Sequence, residues 1–253
     1  MAFIDFLAFQ EALLIVAAVI VGYVGVAAFL AMRRNDTAGV KSALKSGAIP
    51  LGSVGAVATV LAIWAEEAWP LPGSYNILFT DIYLLFGVTL VVLAVTMATS
   101  SKLQYAGIFA LVAGGVTISY GWNGYILHMT KDPFETFLLY GAFGLAGILA
   151  FPATLVTDHF LAHPDGTAFA FSTGASLARR HPSIQASSRA AQPIVPVGPS
   201  GTPDEDLSVR PSFHLPIYIS TPLLIFVVAI ALAGFAAMWY LDVTLPAHLA
   251  SAP

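Results

Sequence analysis

From Ile82 to Thr99 the chain runs for eighteen residues without a charged side chain, and five other stretches are almost as apolar. A helix needs roughly 20 residues to cross about 30 Å of hydrocarbon. The stretches are continuously apolar rather than alternating over about ten residues, which selects helices over barrel strands. The expected spans are 6–32, 49–65, 82–99, 103–126, 134–156 and 217–241. The fold class is therefore all-α, a polytopic transmembrane bundle of six helices. Charged residues are only 9% of the chain, against about 25% in soluble domains, so lipid rather than water is the solvent these faces require.

The first span is read as a retained helix. Met1–Asp5 carries no basic residue, and Arg33 and Arg34 follow the apolar run instead of preceding it. Basic residues then set the orientation. With the N-terminus external, the cytoplasmic segments hold Arg33, Arg34, Lys41, Lys45, Lys102, Arg179, Arg180, Arg189 and Arg210, and the external ones hold only Lys131. An even number of spans leaves both termini external. The expected location is the cell membrane, with 157–215 as a cytoplasmic loop.

That loop differs in kind. Residues 161–214 are rich in Ser, Pro, Gly and Ala, with too little apolar surface to offset the entropy of ordering. The expectation is a five-helix core over 1–160, a disordered cytoplasmic linker, and a tethered sixth helix with a short tail over 215–253.

The stretch Trp64–Tyr83 combines two adjacent Glu, an Asp, two Trp, two Pro and a Gly, and is read as the main external loop with the ends of two helices attached. All four Trp fall at external helix ends, as do Tyr75, Tyr83, Tyr120, Tyr125, Tyr140 and Tyr240. Their rings are expected mainly to anchor at headgroup level. Small residues recur as Ala142, Ala146 and Ala150, as Gly141, Gly144 and Gly147, and as Gly114 and Gly115. Close helix packing inside the bundle is preferred to a dedicated dimer face.

No Asp, Glu, Lys, Arg or His lies near the middle of a span, which argues against a proton relay or a lysine Schiff base. The chain has no cysteine. Disulfides, thiolate nucleophiles and cysteine-ligated metal centres are thereby excluded. His128, His159 and His163 are poorly spaced to bracket a haem. His159 and His163 share a helix face at i, i+4, but the Glu of a zincin motif is missing. No phosphate-binding, dinucleotide or hydrolase motif is present, nor a basic stripe for nucleic acid. No cofactor is specified.

Two external constellations remain. Glu11, Glu66 and His128 are candidate metal ligands, hard-to-borderline donors suited to Mn, Fe, Zn or Ca. Glu66 and Glu67 are about 100° apart on a helix, so only one of them can point at a shared ion. Tyr75, Asn76, Asp81, Trp122 and Asn123 are candidate ligand-binding residues, the floor of a pocket for a lipid head group, a quinone ring or another small molecule.

Phe3, Ile4 and Asp5 at the start, with Tyr75, Asn76, Ile77, Phe79 and Asp81, give the chain a resemblance to a family of small polytopic membrane proteins of archaea and bacteria. This is the domain of unknown function nine hundred and eighty-one. The resemblance covers roughly the first five spans and implies the membrane fold without implying an activity or any catalytic residue.

The leading expectation is a non-catalytic scaffold or accessory subunit, with the lipid bilayer, other membrane subunits or a second copy of the chain as partners and an external binding face. The alternatives are a metal- or quinone-dependent redox subunit and a small-solute transporter.

Overall fold

The computed structural model describes residues 6–163 and 217–251, with side chains described over 6–163 and 220–242. The sequence-predicted linker lies outside them, as do Phe3, Ile4 and Asp5. Six helices follow in order: α1 (Phe6–Arg33), α2 (Thr37–Ala68), α3 (Ser74–Thr99), α4 (Gln104–Ile126), α5 (Pro133–Ala162) and α6 (Ile217–Ser251). All six contain a stretch long and apolar enough to cross a membrane, and the chain is a multi-pass membrane protein.

Each helix packs against its neighbours in sequence, and α6 closes back onto α1. The result is a ring of six. The sixth helix is therefore a wall of the bundle rather than an appendage to five others. It buries Leu223, Ala229, Ile230, Ala233, Ala237 and Tyr240.

Lipid supplies no hydrophobic drive between helices, so packing relies on close approach of small residues. At the α2–α3 crossing, a Cβ on Gly87 would lie 2.7 Å from the backbone nitrogen of Thr59, and one on Gly55 would lie 2.9 Å from that of Val91. At the α4–α5 crossing, a Cβ on Gly147 would sit 2.8 Å from the carbonyl oxygen of Ala110. Gly114 and Gly144 meet at the same crossing, whereas Gly115 and Gly141 face open space. The outward faces carry Val19, Tyr23, Ile49 and Val60, each more than 60% exposed, a surface suited to lipid.

Two helices begin well before their apolar runs. α2 starts at Thr37 rather than near Ile49, because the Asp36 side chain accepts from the Gly39 N–H at 2.8 Å and caps it. α3 starts at Ser74, not near Ile82. The stretch 64–83, expected as an external loop with the ends of two helices attached, has its helix ends reach further than expected, and the connection is the short turn 69–73. Trp69 (φ 47°) and Gly73 (φ 55°) take left-handed conformations on either side of Pro70 and Pro72.

At the opposite end of the ring, Asp158 of α5 accepts from the backbone N–H groups of Leu103 and Gln104 at 2.9 and 2.8 Å. It caps α4 from a neighbouring helix, satisfying two of the donors that a helix start leaves unpaired. The rings of His159 and His163 stack, with centroids 4.6 Å apart.

Candidate functional site

The inward face of α3 reads Asn76, Thr80, Tyr83, Gly87, Leu90, Ala94 and Met97, all buried. This is helical periodicity with its polarity inverted, because in lipid the polar and small side chains are the ones turned inward. α1 contributes Gln10 and Glu11 in the same way. They are 4% and 5% exposed, although they lie only about two turns into the helix.

These faces line a partly open cavity of about 150 Å³ between the helices. Its walls come from α1, α3, α4, α5 and α6, among them Phe79, Phe86, Ala113, Phe143 and Ile230. Polar groups enter at a few points. Thr117 and Thr89 turn their hydroxyls back to the carbonyls of Ala113 and Leu85 at 2.8 and 2.7 Å. Tyr140 donates to the Leu78 carbonyl at 2.7 Å. The Nε2 of Gln10 and the hydroxyl of Tyr83 are different: both are buried and neither has a hydrogen-bond partner in the protein. A buried donor without a partner costs about 1–3 kcal/mol. Two of them in one apolar space mark where an acceptor fits.

A second cavity of about 80 Å³ shares Val21, Thr89, Leu93, Ala110 and Phe226 with the first. A third, about 280 Å³, shares Leu44, Met97 and Leu103 with the second and is lined by Lys41, Lys102 and Asp158. The three share walls in succession along the ring, from the end bearing the tryptophans to the end bearing the lysines.

The ligand-binding residues expected from sequence are scattered relative to this space. Asn76 is fully buried, and its amide is committed to backbone: Nδ2 donates to the Ala65 carbonyl at 3.2 Å, and Oδ1 accepts from the Leu71 N–H at 3.4 Å. Tyr75 stacks on Phe79 with centroids 6.3 Å apart. Asp81 accepts from the Tyr120 hydroxyl at 2.8 Å, and its carboxylate lies beside that of Glu66. Trp122 is half exposed and packs its ring on Tyr125 and Phe137. Asn123 is exposed and donates to its own helix at Ser119, 2.8 Å away. Asn76 and Asn123, expected to meet across one face, turn to different partners, one inside the bundle and one on its surface.

The metal candidates separate as well. Glu11 faces the cavity, Glu66 is half-buried beside Asp81, and His128 is exposed past the end of α4, with φ 48°. Among the described residues no three His, Asp or Glu side chains are placed to hold a metal ion.

Gln10 and Tyr83 were not singled out by sequence reasoning. Tyr83 reads as an interfacial anchor, like Tyr140 and Tyr240, yet all three are buried while Trp64, Trp69, Trp122 and Trp239 are about half exposed. The signal was the spacing of Asn76, Thr80 and Tyr83 on one face of an apolar helix.

Residues 1–170 match the family described as a protein of unknown function, DUF981. No curated protein and no solved structure matches the chain. The matched stretch takes in α1 to α5, while α6, which supplies Phe226 and Ile230 to the cavity walls, lies beyond it. The chain belongs to the DUF981 family of unknown function.

Proposed function

We propose that the protein is a non-catalytic membrane accessory protein that holds an amphipathic, largely apolar molecule in the centre of its helical ring. One observation carries this reading: a partly open, apolar cavity lined by two buried donors without a partner in the protein. Binding sites for small molecules are typically apolar spaces with a few placed polar groups. The second cavity, which shares walls with it, offers room for a hydrocarbon chain. A binding surface inside the membrane replaces the external face as the seat of specificity. The excess of Lys and Arg at the end opposite the tryptophans supports an orientation with that end cytoplasmic and both termini external in the cell membrane.

The test is to purify the protein from its native membrane, wash it extensively in detergent, extract it with organic solvent and analyse the extract by mass spectrometry. A single hydrophobic species near one per chain is the expected result. An extract that mirrors the bulk lipid composition would contradict the proposal.

A further inference from the structure

We infer that the molecule held in the cavity carries an uncharged carbonyl-bearing ring as its head and a hydrocarbon chain as its tail, the chemistry of a prenylated or alkylated quinone. This rests on the reading that the cavity is a binding site, and it goes further by naming the ligand class.

Three features select the head. First, Gln10 Nε2 and the Tyr83 hydroxyl, neither with a hydrogen-bond partner in the protein, can both donate. They call for an acceptor oxygen, which an ammonium head does not offer. Second, among the described residues the walls contain no Lys, Arg or His, and their only ionisable groups beside Tyr83 are Glu11 and Tyr140. A carboxylate or phosphate head would therefore be buried without a counter-charge, and beside an acid. Burying a charge unpaired is far costlier than burying a neutral carbonyl with its hydrogen bonds made. Third, a space of about 150 Å³ is of the size that holds one six-membered ring. Phe79 and Phe86 on α3 and Phe143 on α5 give that ring aromatic neighbours.

The tail follows from the adjoining space. The second cavity is walled by Val21, Leu93, Ala110 and Phe226 in common with the first, and it leads past Met97 and Leu103. From Tyr83 to Met97 is fourteen residues of α3, roughly 21 Å of helix. A chain leaving the ring head toward the lysine-bearing end remains among apolar side chains over that length. No redox step is implied: the inference concerns recognition alone.

The experiment measures binding of three chain-matched probes to the purified full-length protein in detergent. They are a benzoquinone carrying a decyl chain, decanoate and decylamine. Each is read by thermal shift and by quenching of intrinsic fluorescence. The quinone is expected to bind at least tenfold more tightly than either charged probe. Tyr83→Phe and Gln10→Met should each weaken the quinone about tenfold, while unliganded melting temperatures near that of the parent show that both variants fold. If all three probes bind alike, or if decylamine wins by pairing with Glu11, the head assignment is overturned while the cavity remains a binding site. If none binds and cavity-filling substitutions change nothing, both readings fall together.

Discussion

The side-chain amide of Asn76 reaches back eleven residues to hold the carbonyl of Ala65, which also accepts from the N–H of Trp69 at 3.1 Å. The end of α2 is thereby fastened to the start of α3, and the Pro-rich turn between them is fixed from inside. Asn76→Leu keeps the branched shape and removes both hydrogen bonds. It is expected to destabilise the protein by about 1–3 kcal/mol, seen as a lower unfolding midpoint in a detergent titration. A midpoint equal to that of the parent would show that the amide does not hold this corner.

Asp158 performs the corresponding task at the other end, for α4. Asp158→Ala leaves the N–H groups of Leu103 and Gln104 without their acceptor, and the loss of such a cap costs about 0.5–2 kcal/mol. Hydrogen exchange at the first turn of α4 should quicken in this variant, with α3 little changed.

The glycine crossing separates two adjacent positions. Gly114 lies against the α5 backbone at Gly144 and Gly147, and Gly115 faces open space. Gly114→Val is expected to destabilise by about 1–3 kcal/mol through overpacking. Gly115→Val, one residue away, should leave the melting temperature almost unchanged. Equal effects at both positions would mean that α4 and α5 cross elsewhere.

The proposed orientation is open to direct labelling, because the chain has no cysteine of its own. A single cysteine at Glu67, exposed at the tryptophan-bearing end, should react with a membrane-impermeant maleimide added to intact cells. One at Ser101, at the opposite end, should react only after the membrane is opened. The reverse pattern would invert the molecule.

The six spans were legible because apolar length is a direct consequence of bilayer thickness, and hydropathy reports that thickness. Helix ends were not. Thr37–Ala48 and Ser74–Asp81 are helical although polar enough to leave the hydrocarbon, since capping by Asp36 and docking by Asn76 depend on partners that periodicity cannot name. The site was legible only in part. Glu11 was read as a candidate metal ligand of the external face, and it lines the cavity apart from Glu66 and His128. Tyr83 was assigned to the headgroup belt because tyrosine satisfies that chemistry equally well, and only the closure of α6 onto α1 and α5 shows the ring that encloses it. Nothing in the sequence signals that closure, since 54 residues separate α5 from α6.

Native mass spectrometry of the parent protein and of Ala113→Phe, whose new ring projects into the cavity, tests occupancy of the ring most directly. Ala113 is buried on the cavity wall, so the larger side chain fills space that a bound molecule needs. The parent should retain one discrete hydrophobic adduct per chain after detergent stripping, and the variant should fold yet lose that adduct. An identical ladder of mixed lipids on both proteins would contradict a ligand held at the centre of the ring.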